Sequence, residues 1–396
     1  MRIVVSCQQS CRQHPIPAYE FWRPYFVHGL AEAGHEVLEV PGVDWAEGLV
    51  HPPGAALDLW RERTWQTVVA FVRAECRDRP VDLFLSYLYP AQIEVGAIRD
   101  LQSMGIPCVN FFCDNVREFR AVPAEYRAFA LHWVPEFEAL QMYRGAGLAH
   151  VHAPMPCWIP QNLRSVAAAE TEPPTFVGSA DILRRDLFSR AAQAGAKFTV
   201  RGAGWSDERD DGATAPRRRR PSAVVANQIA LVRSHGFGAL LRKAESWILP
   251  MRPAPLPPSS IGTAPASESE YFRITREAAV CLGVNRVPTA RNSNLHPLRY
   301  SRLRDIEAPM LGACYLTEWT EGLECLYEIG TEIEAYRTAE ELSAKLGELA
   351  SDPKRRRAMR GRAQRRALDE HCLARSIARI GQRLGLSAGT MGPSMA

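Results

Sequence analysis

No apolar stretch of this 396-residue chain comes near the roughly 18 residues that a membrane-spanning helix needs. The N-terminus carries one arginine and the short apolar run Ile3–Val5, which reads as a buried strand and not as a signal peptide. The ten cysteines show neither zinc-ligand spacing nor a disulfide framework. With no export signal beside them, they read as the reduced thiols of a cytoplasmic protein. Charge of one sign is lacking too. Lys and Arg number 48 against 44 Asp and Glu, and the net +4 is too mild to announce a nucleic-acid partner. What is present is ordinary: 46% hydrophobic and 23% charged residues describe a soluble globular chain long enough for two or three domains. Disordered, collagen-like and disulfide-stapled classes are excluded.

Apolar runs alternate with helical periodicity over the first half. Strands are expected at Arg2–Ser6, Glu36–Val40, Val81–Leu88, Cys108–Cys113, Leu131–Val134 and His150–Ala153. Helices are expected over about 18–33, 57–77 and 93–104, the last stopped by Gly105 and Pro107. Repeated β-α-β units of this length argue for a doubly wound parallel sheet. The small, acidic, proline-ended segment Ala167–Pro174 reads as a linker, and a second β-α series follows it. Its strands are expected at Pro174–Gly178, Phe198–Arg201, Ala278–Val284 and Ala313–Thr317, with a helix from about Ser301 and a final helical region over 353–384. Residues 206–268 break the series. They hold an acidic stretch (Asp207–Asp211), four arginines (Arg217–Arg220), a helical stretch over about 223–247 and a proline-rich run, and read as an insertion. The expected division is a first domain over 1–166, a linker over 167–174 and a second domain over 175–372. A helix over 373–387 then packs back on the first domain, ahead of a disordered tail over 388–396.

In open parallel sheets ligands sit beyond the carboxyl ends of the strands, which directs attention to the loops that follow them. Gly178-Ser179 follows a strand and opens a helix, with Arg184 and Arg185 one turn on. This is either a plain turn or an anion-binding helix N-terminus. Gly204 and Trp205 close a flexible turn suited to close approach by a ligand. In the segment Tyr300–Leu311, Ser301 is a candidate N-cap, and Arg302 and Arg304 oppose the helix dipole unless an anion occupies the site. Arg304 and Glu307 share a helix face. They form either an internal ion pair or a diphosphate-binding cation beside a carboxylate that accepts both ribose hydroxyls. His150 and His152 share a strand face but have no third ligand nearby, so a metal site is not expected. The basic runs Arg217–Arg220 and Lys354–Arg366 lack interleaved aromatics and read as solvated faces, with attraction to an anionic membrane as the minority reading.

Taken together, the second-half motifs resemble the CgeB-like glycosyltransferases, relatives of the glycosyl transferases group 1 family. The motifs are Val177-Gly178-Ser179 with Arg184 and Arg185, Gly202–Trp205, Leu282–Asn285, Ser301–Glu318 and Gly330–Leu342. The segment Leu342–His371 is similar to that group's terminal helices. The resemblance implies an α/β chain of GT-B type, two Rossmann-like domains facing across a cleft. A nucleotide sugar would lie on the C-terminal domain, an acceptor on the N-terminal one, and no metal or cofactor would be obligatory. Carried over by position, it places Gly178, Ser179 and Arg304 at the donor diphosphate, Glu307 at the ribose, and Glu318 to Gly322 on the sugar side. Arg184, Gly204, Trp205, Asn285 and Ser301 complete the expected donor-binding set. Asp114, followed by Asn115 after its strand, is the expected catalytic group, as base or as a ligand of a sugar hydroxyl. Retaining relatives carry a second glutamate eight residues before Glu307; Arg299 stands there, which leaves both retention and inversion open.

The expected activity is transfer of a hexose to a glycan, lipid-linked or protein acceptor in cell-surface polysaccharide synthesis. Two other classes stay in view: a nucleotide-sugar epimerase, which needs more acid–base groups than Asp114, His14 and His152 supply, and a non-catalytic binding module. The expected partners are the sugar donor and its acceptor, with no nucleic acid.

Overall fold

The computed structural model describes residues 1–10, 12–14, 19–205, 251, 253–289, 292 and 294–386. They fall into two compact units, Met1–Pro160 together with the chain from Ala367, and Gln161–Arg366. The first unit runs β1 (Arg2–Ser6), α1 (Tyr19–Glu32), β2 (Glu36–Leu38), α2 (Glu47–Val50), α3 (Ala55–Asp78), β3 (Leu83–Ser86), α4 (Val95–Ser103), β4 (Cys108–Phe111), α5 (Asn115–Glu118), β5 (Leu131–Val134), α6 (Leu140–Gly145) and β6 (His150–His152). Its six strands form a parallel sheet in the order β2-β1-β3-β4-β5-β6, with Val4 opposite Phe84 and Val109 opposite Leu131. β1, β3, β4 and β5 are apolar because both faces are covered. On one face Trp22 and Phe26 of α1 meet Phe111 and Trp133, with ring centroids 5.0–6.1 Å apart.

The second unit runs β7 (Thr175–Val177), α7 (Ile182–Gln193), β8 (Thr199–Arg201), β9 (Ile261–Gly262), α8 (Glu268–Glu277), β10 (Cys281–Leu282), β11 (Arg286–Val287), β12 (Leu298–Arg299), α9 (Arg304–Met310), β13 (Tyr315–Glu318), β14 (Glu334–Tyr336), α10 (Ala339–Ser351) and α11 (Pro353–Glu370), the last turn of which, from Ala367, is counted with the first unit. Its sheet has the order β14-β13-β10-β7-β8-β9 and is parallel throughout, while β11 and β12 form a separate antiparallel pair. The last helix, α12 (Leu373–Leu384), belongs to the first unit. There Leu373, Ile377 and Ile380 are buried, and Leu373 fills the space where Gly29 of α1 lacks a side chain.

Each sheet reverses its winding once. The chain passes from β1 to β2 on one side and then to β3 on the other; likewise β7 leads to β8 and β9, and β10 returns to the opposite flank of β7. The crevices of the two sheets therefore lie at β1/β3 and at β7/β10, each at the carboxyl ends of its strands.

Several expectations are revised at the level of elements. The helix expected from Ser301 begins at Arg304, has no side-chain cap and lasts two turns, because Asp305 turns back to accept the Arg302 N–H at 3.1 Å. The terminal helical region is two helices, broken between Glu370 and Leu373. The end of the expected insertion is built into the sheet: Ile261–Gly262 pairs with β8, and Leu256 joins the core. The rest of it, including Asp207–Asp211, Arg217–Arg220 and the 223–247 helix, lies outside the described residues, as does the 388–396 tail. Residues 167–174 belong to the second unit, where Glu170 is held by Arg356 and Arg360, and Glu172 by Arg201 and Arg273.

Candidate functional site

At the β7/β10 crevice the second unit gathers positive charge. Arg304 donates to the Val177 carbonyl at the end of β7, and its guanidinium lies over Phe176 (5.6 Å) and Tyr271 (5.4 Å). Arg184 covers the same Phe176 ring from 5.5 Å and donates to the Ser179 carbonyl at 2.8 Å. Arg302 stacks on Tyr300 at 5.1 Å. Burial lowers the Arg184 pKa, Arg302 and Arg304 add to that by repulsion, and Asp181 opposes it. Three guanidinium groups held within mutual repulsion, on rigid aromatic seats, form a site that an anion would relieve. Beside them the buried Glu307 accepts the Tyr271 hydroxyl, and the Glu307 charge helps push the Glu268 carboxyl upward, after burial.

The backbone around this cluster is tightly specified. A Cβ on Gly202 (φ 140°) would lie 2.3 Å from the Gly178 carbonyl, and one on Gly283 would lie 2.2 Å from the Tyr315 hydroxyl. Gly202 lets the loops after β7 and β8 close on one another, and Gly283 leaves room for the Tyr315 and Thr317 hydroxyls of β13.

Other residues singled out from the sequence are engaged inward. Asp181 caps α7 by accepting from the N–H groups of Leu183 and Arg184 at 2.9 Å, so that helix terminus is already satisfied by the chain itself. The Trp205 indole is buried among Phe176 and Phe188 and donates to the Gly178 carbonyl at 2.7 Å, so it serves the core. Gly204 (φ 79°) and Gly322 (φ 82°) supply left-handed turns, the latter ahead of a short 3-10 turn over Leu323–Cys325. Asn285 donates to Asp305 (3.0 Å) and to the Glu318 carbonyl (2.8 Å). Asp305 also accepts from the hydroxyls of Tyr315 and Thr317 at 2.8 and 2.9 Å. Burial raises its pKa against these bonds, the Ser301 hydroxyl among them. Glu318 is fully buried and takes Arg286 (2.7 Å), Arg299 (2.5 Å) and the N–H groups of Asn285 and Arg286. Its carboxylate clamps the β11–β12 pair instead of projecting toward a sugar. Arg299, which stands where retaining relatives have a glutamate, is a partner in that clamp.

The first unit presents a different chemistry. Asp114 follows β4, partly exposed, as the N-cap residue of α5 without a side-chain capping bond. Next to it, Asn115 is buried, accepts from Tyr143 at 2.8 Å and gives its N–H to Glu136 at 2.8 Å. Glu136, two residues beyond β5, is wholly buried, and its other carboxyl oxygen has no hydrogen-bond partner. Burial first, and then the charge of Asp114, push its carboxyl well above the usual carboxylate range. At the β1/β3 crevice Gln8 adopts φ 61° while 2% exposed. Nearby, the ring of His14 lies 3.0 Å from Asp44, which also accepts the Ser10 hydroxyl at 2.7 Å. Burial would raise the Asp44 pKa, but the bonds from His14, Ser10 and the Glu47 N–H hold it below the ordinary value. Tyr271, Phe176, Glu136 and Asp44 were not singled out by the sequence patterns. Only Glu136, just past a strand, carries a local signal.

Among the described residues no group of three His, Cys, Asp or Glu side chains could hold a metal ion, and no helix is long and apolar enough to cross a membrane.

Comparison with known proteins completes the picture. Residues 260–382 match a family described as glycosyl transferase-like. No curated protein matches the chain. Among solved structures it is similar to sucrose-phosphate synthase from Thermosynechococcus elongatus (TM-score 0.54, 14% identity, covering 98% of this chain and 99% of that one). It is also similar to Anabaena HepE in complex with UDP and glucose (0.54, 11%, 97% and 99%). A glycosyltransferase from Rickettsia africae is a third (0.52, 10%, 98% and 99%). These end-to-end likenesses give the chain the GT-B fold, an α/β architecture of two parallel-sheet units.

Proposed function

We propose that the protein is a glycosyltransferase of the CgeB-like kind, moving a hexose from a nucleoside-diphosphate sugar to a glycan, lipid-linked or protein acceptor. The observation that carries this reading is the cluster of Arg184, Arg302 and Arg304 with Glu307 at the switch point of the second sheet. Guanidinium groups suit a diphosphate, and a neighbouring carboxylate suits the paired hydroxyls of a ribose. The match of residues 260–382 to a glycosyl transferase-like family covers Arg302, Arg304 and Glu307, and a protein of the same fold was solved with UDP and glucose. In transfer, the bond from the anomeric carbon to the diphosphate oxygen breaks as an acceptor oxygen attacks, and negative charge builds on the departing phosphate. Fixed positive groups lower the barrier most where that charge develops. The acceptor proton passes to Asp114 on the first unit, next to the Asn115 turn that Glu136 holds. Gly178 and Ser179 supply backbone at the phosphate. Trp205, Asn285, Ser301, Glu318, Gly204 and Gly322 shape the loops around it.

A panel of nucleotide sugars scored for nucleotide release, with calorimetric titration of UDP and GDP, tests the reading. Binding with release supports it. Absence of any nucleotide binding would indicate a non-catalytic module, and an epimerised sugar without release would indicate an epimerase. Within the transfer reading, Asp114→Asn is expected to keep nucleotide affinity and lower turnover by ~10²-fold or more.

A further inference from the structure

Helix α11 carries eight Lys and Arg between Pro353 and Leu368 and no acidic residue in that span. The fold sorts these cations into two sets. Four are partnered: the half-buried Arg355 pairs with Glu334, the buried Arg356 and Arg360 with Glu170, and the exposed Arg366 donates to the Leu326 carbonyl. The other four, Lys354, Arg357, Arg362 and Arg365, are exposed, and none has an ion-pair or hydrogen-bond partner among the described residues. At 100° per residue they fall within one sector of the helix, about 140° wide and about 16 Å long. Ala358 and Gly361 occupy the middle of that sector, so no long side chain stands between the cations. Their number equals the whole formal excess of +4 carried by the chain.

Exposed cations on a helix are ordinarily interleaved with acids that pair at i, i+3 or i+4, and that pairing supports the helix. On this face a single exposed acid, Asp369, stands one turn beyond Arg365 with no ion pair to it among the described residues, so four cations and one carboxylate leave a net positive stripe. The remaining like charges repel one another on that face, and an external anion offsets the cost. A loop-like or concave anion would need side chains around it, whereas a stripe on a straight helix with a low centre fits an extended, flat, negatively charged surface. The sector has no aromatic on which a base could stack and no Asn or Gln to read one, which disfavours a nucleic acid. It also has no Leu, Phe or Trp to insert between acyl chains, so the attraction is electrostatic alone.

We propose that the outer face of α11 docks the protein on a bilayer surface rich in anionic phospholipid, through Lys354, Arg357, Arg362 and Arg365. This face is distinct from the residues assigned to the donor, and the proposal does not depend on the transfer reading.

The test is co-sedimentation of the full chain with vesicles of phosphatidylglycerol and phosphatidylcholine, against vesicles of phosphatidylcholine alone and against a single-stranded DNA. Replacement of the four residues by glutamine (K354Q, R357Q, R362Q and R365Q together) keeps helix propensity nearly unchanged, and circular dichroism with a wild-type thermal midpoint reports that the variant is folded. Wild type is expected to bind the anionic vesicles only, and to release them in about 1 M salt, where the Debye length is about 3 Å. Each charge removed should weaken binding about fivefold, and all four by several hundredfold. Equal binding of wild type and the quadruple variant would overturn the proposal, as would failure to bind anionic vesicles or retention of DNA in their place.

Discussion

Glu136 and Glu307 are both buried carboxyl groups, but their surroundings set them to different tasks. Glu307 sits beside Arg304 and accepts the Tyr271 hydroxyl, and in the proposed transfer reading it would also accept from the ribose hydroxyls. Glu307→Ala is expected to weaken UDP or GDP binding by roughly 1.5–3 kcal/mol, the range for hydrogen bonds to a charged group. Calorimetry on the folded variant checks this, and unchanged affinity would make Glu307 a purely internal partner of Tyr271. Glu136 is buried beside Asp114 with no cation among the causes of its shift, and its pKa in the folded chain is raised. A raised carboxyl pKa means that its contribution to stability is complete below the unfolded value of about 4.3 and drains away as pH climbs through the folded value. Glu136→Gln retains an acceptor for the Asn115 N–H and has nothing to ionise. Its denaturation midpoint should equal that of wild type near pH 4 and move ahead of it as pH rises. Parallel midpoints from pH 4 to 8 would show that Glu136 ionises freely in the fold.

At the scale of elements, β1, β3, β4 and β5 were legible because a strand covered on both faces needs nothing but apolar side chains, whereas the edge strands β2 and β6 are half-exposed and follow from their place in the alternating series. The pair β11–β12 was not. Its two-residue strands include Arg286 and Arg299, which argue for exposure until Glu318, 32 and 19 residues away, is seen between them. The same distance misleads for Glu318 itself, which follows the expected strand and looks like a group aimed at a ligand. Glu318→Ala would leave the buried Arg286 without its carboxylate, beside a partly exposed Arg299, and loss of one partner of a buried ion pair costs about 3–5 kcal/mol. Urea unfolding should show this loss in the second unit, while Glu318→Gln, which can still accept from the Asn285 N–H, should lose less. Arg304 and Glu307 were legible from their spacing on one face and from the family resemblance. Their aromatic seats, Phe176 and Tyr271, were not, because each is contributed by an element far off in sequence.

For the molecule as a whole, the supply of positive charge by guanidinium groups bears on metal dependence. A diphosphate neutralised by Arg184, Arg302 and Arg304 has no need of a divalent cation as it departs. Turnover is therefore expected to persist in excess EDTA. Loss of activity with recovery on adding Mn²⁺ or Mg²⁺ would take that role from the arginines. The two-unit plan was legible from the repeated β-α-β series. The return of the chain from Ala367 to the first unit rests on the apolar stripe of α12, read in the sequence as a helix packing back. That return has a consequence for how the protein is made. The ribosome delivers β1 to β6 first, yet α12, whose Leu373 seats against Gly29 of α1, emerges only after the second unit has been synthesised. At about 5–20 residues per second the wait is roughly 10–40 s. Through that interval the nascent first unit has all its strands but carries an open apolar seat on α1, a place for chaperones to hold, while the second unit, contiguous in sequence, can gather all its elements before the first unit has its last helix.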